Sequence, residues 1–317
     1  MFYQVGAYHA TEFDLDLSDW DMSSANDMSF MFRDAGKNAT NFNLDLSGWT
    51  IGEDANLYRM FLDTGHYAAT FNLNLSEWDA AGVVNMSEMF YNAGYSAPAF
   101  SLNLNGWKTG SVTNMSKMFA GAGYKATNID LDLSGWNTSN VTDMSSMFNA
   151  AGRNATTFNL ELTGWDTSNV TNMSGMFSSA GYNATNMSIS GLGGWDTGGV
   201  TTMSSMFYDA GYKATAWNIG NLSGWNTENV TTMQSMFEGA GYNATTWDIG
   251  DLSGWNTGNV TSMLYMFRDA GYSATTWNIG NISGWNVTKV TEHTTFINLN
   301  SNSTNASVVN NQPNWPN

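Results

Sequence analysis

Apolar and polar residues alternate through Phe158, Asn159, Leu160, Glu161 and Leu162. Such a period of two predicts a short strand with Phe158, Leu160 and Leu162 on one buried face. Asp166 to Val170 then reads as a polar turn that closes on one buried valine. A different pattern follows, because Met173, Met176, Phe177 and Ala180 stand at i, i+3, i+4 and i+7. That spacing predicts one apolar stripe of a short helix. Thr171 is placed to be its N-cap and Gly181 its left-handed C′ residue. Thr231 and Gln234 complete a capping box in a later copy.

The copies recur along the chain. Trp20, Trp49, Trp78, Trp107, Trp136 and Trp165 are 29 residues apart, and Trp195, Trp225, Trp255 and Trp285 follow at intervals of 30. Twelve residues after each Trp from Trp20 to Trp255 comes a Phe, from Phe32 to Phe267, and four residues later a glycine, while the last coil carries Ile297 there with Phe296 in place of the usual Met. A period of this size means a solenoid, in which each coil buries its apolar residues only against its neighbours. The expected fold is an α/β solenoid. It has about ten coils of strand, loop and short helix, with a parallel sheet on one face. Residues 1–297 form this single solenoid, in 29-residue coils to about 165 and 30-residue coils after. Residues 298–317 are a polar cap, linker or docking segment.

Trp49, Trp78, Trp107, Trp136, Trp165, Phe148 and Phe177 are expected to form buried ladders. The methionines fall on the same apolar stripe and read as adaptable core filler rather than redox or metal chemistry. The added residue of the later coils falls between strand and Trp. Gly191, Gly220, Gly250 and Gly280 there fit a bulge or a sharper bend. The leading strand residue also changes from Phe to Trp217, Trp247 and Trp277.

Composition narrows the function. Ten Lys+Arg stand against 27 Asp+Glu, a formal net charge of −17, so the surface repels phosphate backbones and anionic lipid. No nucleic-acid partner and no membrane span are expected. There is no cysteine, which excludes disulfides, thiolate metal sites and cysteine nucleophiles. This usage, with abundant Asn, Thr, Ser and Gly, matches exported surface proteins. If the protein is exported, its signal is expected to have been removed or to lie outside these residues.

The run from Trp136 to Phe148 (WNTSNVTDMSSMF) resembles the BspA-like leucine-rich-repeat surface proteins, the DUF285 repeat family. The same signature stands from Trp165 to Phe177 and from Trp255 to Phe267, and the likeness covers nearly the whole chain. The resemblance implies an extracellular, surface-attached, adhesive protein without catalysis. The coils here are longer than the family's usual repeat, because a Gly-Tyr-x-Ala-Thr segment extends each one. The second coil departs further, with Asp54 at the Val position and Leu57 at the first Met position.

Several surface positions are candidates for chemistry. Asp16, Asp45, Asn74, Asn103, Asp132 and Glu161 should align across the sheet about 4.8 Å apart, forming the expected ligand face. Asp14, Asn43, Asn72, Ser101, Asp130 and Asn159 should form a second row beside them. Neighbouring carboxylates repel unless something lies between them, so Asp14, Asp16, Asp45, Asp130 and Asp132 are candidate calcium ligands. A solvated Asn/Asp ladder is the competing reading, and no other cofactor or metal is expected. Sequons abound, and Asn38, Asn154, Asn183 and Asn243 lie at one variable, exposed position, which makes them the candidate N-glycosylation sites. His9, His66 and His293 are too scattered for a repeated site, and no catalytic residues are expected.

Two functions compete. One is a cell-surface module binding a host or matrix protein or a glycan through its sheet face. The other is a structural subunit stacking end to end, with copies of itself as partners. The second draws on Met1-Phe2, which starts the sequence at the Met-Phe position of a coil.

Overall fold

The computed structural model describes residues 2–8, 11–104, 106–298 and 312–315. The chain winds as a parallel β-solenoid of about ten turns. Strands Glu12–Asp16, Asn41–Asp45, Thr70–Asn74 and Ala99–Asn103 pair side by side in one sheet. Asn128–Asp132, Thr157–Glu161, Asn186–Ser190 and Ala216–Asn218 make a second, and Thr246–Asp248 pairs with Thr276–Asn278. All pairs are parallel and in register, so Phe13, Phe42, Phe71 and Phe100 stand opposite one another.

The expected helices are absent among the described residues, where the only helical element is the 3₁₀ turn Leu192–Gly194. The α/β assignment is therefore corrected to an all-β coil of strands and turns. Met144, Met147, Phe148 and Ala151 are all buried, as the stripe required, but the backbone between them is not helical. Alternate N–H groups divide their bonds. Met147, Asn149 and Ala151 donate back three residues, to Met144, Ser146 and Phe148. Ser146, Phe148 and Ala150 donate to Ser174, Met176 and Ser178 of the next coil, each at 2.8 Å. A helix would keep all of these bonds inside its own segment. Left-handed backbone at Ser146, Ala150 and Gly152 (φ 54°, 54° and 50°) makes the alternation possible, and it recurs coil after coil.

The expected caps serve this ladder instead. The Thr171 hydroxyl donates to the Thr142 carbonyl of the previous coil, and that of Thr231 to Thr201. Gly181 is left-handed as anticipated (φ 53°). A Cβ there would lie 2.8 Å from the Phe158 side chain, so the position also needs glycine for close packing.

Trp49, Trp78, Trp107, Trp136 and Trp165 form a buried stack with centroids 5.4–6.3 Å apart. The indole N–H groups of Trp49, Trp78, Trp107 and Trp165 donate to the Leu17, Leu46, Leu75 and Leu133 carbonyls of the preceding coil. Phe148 and Phe177 belong to a parallel Phe stack, 5.6 Å apart. A third stack runs beside these, Phe13–Phe42–Phe71–Phe100 at 4.9–5.2 Å in the first coils and Trp217–Trp247–Trp277 at 5.3 and 4.8 Å in the 30-residue coils.

The Phe148–Phe177 column ends at Phe296, which meets Phe267 edge-on. Pro313 is buried there, and Trp315 lies over His293 at 4.4 Å and against Phe296. Most of the 298–317 segment, and His9, lie outside the described residues.

Candidate functional site

The polar residues of each coil are first of all corner residues. Asp or Asn accepts the N–H two residues ahead, an Asx turn. Asp166 and Asn172 hold the Ser168 and Ser174 amides in this way, and Glu161 does the same for Thr163. The coils after Trp195 gain a fourth corner, where Asn218 holds Gly220 and Asn221 then holds Ser223. Gly220 and its equivalents Gly191, Gly250 and Gly280 are all left-handed, at φ 69–93°.

The candidate ligand face must be divided accordingly. Asp16 pairs with Asp45, Asp45 with Asn74, and Asn74 with Asn103. Asp132 pairs with Glu161, but it belongs to the second sheet, so the row runs in two blocks. Asp16, Asp45, Asn74 and Asp132 each accept the amide of the serine two residues on. Hydrogen bonds from Ser18 hold the Asp16 carboxyl below its usual range, and those from Ser190 and Thr163 do so for Glu161. This row is thus engaged in shaping the strand ends.

The second row is freer. Asp14, Asn43, Asn72, Ser101, Asp130 and Asn159 are all exposed. Asn43 donates to Asp14 at 2.7 Å and Asn72 to Asn43 at 2.6 Å, which leaves further lone pairs and one amide proton on each Asn toward solvent. Where the two sheets meet, a cleft of about 450 Å³ opens between Lys108, Asp132, Ser134 and Gly135, floored by Trp107 and Trp136. Asp14, Asp16, Asp45, Asp130 and Asp132 do not gather into a cation site. Among the described residues no three acidic or histidine side chains converge as a metal would require.

The sequons fall into two structural sets. In Asn-Val-Thr, the amides of Asn140, Asn169, Asn229 and Asn259 each donate at 2.7 Å to a carbonyl of the preceding coil. In Asn-Ala-Thr, the central Ala39, Ala155, Ala184 and Ala244 are fully buried and the flanking side chains turn outward. Asn38, Asn154 and Asn243 are exposed. Asn183 is half-buried and donates to Asn154, while Asn38 donates to the Ala7 carbonyl.

An outer column went unread in the sequence. One residue after the glycine turn, His66, Tyr95 and Tyr124 stack, as do Tyr182, Tyr212, Tyr242 and Tyr272, at 4.4–4.9 Å. Arg153 joins the two runs, its guanidinium 5.9 Å from the Tyr124 ring centre and 4.2 Å from that of Tyr182. Burial and the neighbouring Tyr242 and Tyr182 push the Tyr212 phenol up to about 12. The ring faces in this column are spent on each other. The repeated glycine-tyrosine pair was the signal for it.

Beside this column, Asp63 and Asp209 occupy the same left-handed turn position in different coils (φ 55° and 53°). Burial raises Asp63, but His66 and Asn92 hydrogen bonds and the Lys37 charge outweigh it and bring it down to about 2. Asp209 is pushed up to about 6 by burial and by the charge of Glu238, which is itself nearly buried and paired with Arg268.

No helix among the described residues is long and apolar enough to cross a membrane. No curated protein and no solved structure matches the chain. A family model described as "Mycoplasma protein of unknown function, DUF285" matches residues 6–97, 94–211, 124–240 and 181–311. Overlapping matches of that kind follow the repeat from coil to coil, and the chain belongs to the DUF285 family.

Proposed function

We propose that this chain is a non-enzymatic, extracellular binding module of the BspA-like kind, attached at a cell surface and presenting its strand face to a host or matrix protein or glycan. The exposed row Asp14, Asn43, Asn72, Ser101, Asp130 and Asn159 carries this reading, because its side chains combine fixed spacing with unused hydrogen-bonding capacity. Neighbouring coils repeat the same groups about 4.8 Å apart, so many weak contacts can add along one extended partner. The cysteine-free composition suits an oxidising exterior.

The test is saturable binding of the full chain to a panel of immobilised matrix proteins and host glycans. Replacing Asp14, Asn43 and Asn72 together by Ala should weaken binding at least about tenfold, and it leaves the Asp16 and Asp45 corners intact. Binding to no member of the panel, or binding indifferent to the triple substitution, contradicts the proposal. End-to-end stacking is less favoured, since a second copy would have to displace Pro313 and Trp315 from the last coil.

A further inference from the structure

Most aromatic rings among the described residues stack on a ring of a neighbouring coil, and Tyr8 and Tyr67 stand apart by their exposure. They are 68% and 58% exposed, the two most exposed large hydrophobic side chains among the described residues. Both lie beside Asn38, one from the coil before it and one from the coil after. Together with Gln4, Ala7, Asp34 and Lys37 these three residues line one cavity of about 220 Å³. Tyr67 replaces the small or polar residue that other coils carry at this position, such as Ser96, Lys125 or Asn154. Its backbone is anchored to the Lys37 carbonyl, and His66 abuts its ring edge-to-face at 4.5 Å.

The spacing limits what fits. Elements two coils apart are separated by roughly 9.5 Å. A ring held between two such side chains needs about 3.5–4 Å on each side, so one puckered ring matches that two-coil separation and the cavity of about 220 Å³. The walls offer apolar ring faces, whose negative quadrupole attracts polarised C–H groups. The rim offers Gln4, with its amide donors and acceptor, and Asn38, whose amide keeps its oxygen and one proton beyond the bond to Ala7. Charge is already balanced within the cavity. The Lys37 ammonium is bonded to Asp34 at 2.6 Å and to Asp63 at 3.3 Å, so neither ion of the lining pair is left seeking a charged ligand. Aromatic walls, amide rim and internal neutrality together describe a ring with C–H faces and hydroxyl edges.

We infer that Tyr8 and Tyr67 clamp a single neutral pyranose, with Asn38 and Gln4 bonding its hydroxyls, which makes this cavity a glycan-binding subsite distinct from the strand face. The inference rests on the reading of the chain as a surface binding module, and it supplies a ligand class for one locus of it. Asn38 is then a contact residue, and a glycan attached to it would close the subsite.

Saturation-transfer NMR on the full chain, with a panel of neutral methyl hexosides and N-acetylhexosaminides, tests this. Saturation should pass to the sugar C–H protons of at least one glycoside. Tyr67→Ala should weaken that glycoside about tenfold or more, whereas Tyr67→Phe, which keeps the ring, should retain it. Tetramethylammonium should not compete, and the melting temperature of Tyr67→Ala should match the parent because the ring is exposed. No transfer to any glycoside, transfer unaffected by Tyr67→Ala, or displacement by tetramethylammonium overturns the inference. The triple Ala substitution of Asp14, Asn43 and Asn72 should leave the transfer unchanged. Loss of matrix binding with retained glycoside binding, or the reverse, therefore separates the two proposals.

Discussion

The coils closed by Trp49 to Trp165 and those closed by Trp225 to Trp285 carry the same Trp and Phe stacks but reach the Trp by different routes. In the first group a five-residue strand such as Thr157–Glu161 runs straight into one corner. In the second the strand shortens to three residues, as in Thr246–Asp248, and the added residue makes a second corner at Gly250 and Asp251. The Phe ladder keeps its spacing, at 5.4 Å for Phe61–Phe90 and for Phe237–Phe267, while the Trp ladder widens only from 5.6 Å at Trp49–Trp78 to 6.2 Å at Trp225–Trp255. An insertion is tolerated because an Asx turn absorbs it at the surface while the buried columns keep their register.

The joint between the two groups bears the cost. Gly191 approaches the Leu162 backbone so closely that a Cβ would lie 2.5 Å from its carbonyl carbon. The Trp195 indole N–H is buried without a hydrogen-bond partner. Its counterparts Trp165 and Trp225 donate to the Leu133 and Leu192 carbonyls at 2.9 and 2.8 Å.

Three sets of substitutions probe this contrast, from the largest effect to the smallest. Gly191→Ala must push backbone apart as well as hold a left-handed alanine, so it should cost about 3 kcal/mol or more. Gly164→Ala has φ 88° but meets nothing nearer than 3.6 Å, so it should cost only about 1–2 kcal/mol. Equal urea midpoints for the two variants would show that the joint is not strained.

Trp165→Phe loses the indole hydrogen bond to the Leu133 carbonyl, which keeps the Trp136 amide, and should cost about 1 kcal/mol more than Trp195→Phe, which removes an orphaned donor. Thermal melts of the pair decide this, and a greater loss at Trp195 would contradict it.

Acid titration separates Asp63 from Asp209. A carboxyl lowered to about 2 stabilises the fold above its unfolded value of about 3.9 and loses that contribution as pH falls toward 2. Raised to about 6, Asp209 acts in the opposite sense. Its contribution is complete below the unfolded value and lost as pH rises through 6. Asp63→Asn should therefore lower the melting temperature at pH 7 and converge with the parent near pH 2. Asp209→Asn should raise it at pH 7 and converge near pH 4. Parallel melting curves across that range would refute both assignments.

Much of this was readable in the residues. The Trp and Phe columns, the strand alternation and the glycine turn all follow from periodicity, because burial repeats with the coil. The helix did not survive, since Met144, Met147, Phe148 and Ala151 are gathered equally well by successive turns that bond alternately inward and to the next coil. A contrary signal was present. Asp34, Asp63, Asn92, Gly121, Asp209, Gly239 and Asp269 share one position in that segment, and these residue types favour left-handed backbone over helix. The corner role of the expected ligand row is hidden for a related reason. Asp16 and Asp45 look free in a strand pattern, yet the serine two residues on marks each as a corner. Tyr8 and Tyr67 were missed because each departs from its column's consensus, and the repeat directs attention to what recurs.

The turn-built coil is the claim on which the rest depends, and backbone chemical shifts of the labelled chain test it most directly. The Cα and carbonyl shifts of Ser146, Ala150 and Gly152 should report left-handed backbone, interrupting any helical run between Met144 and Ala151, with the same interruption in every coil. A continuous stretch of helical shifts from Met144 to Ala151 would contradict the account.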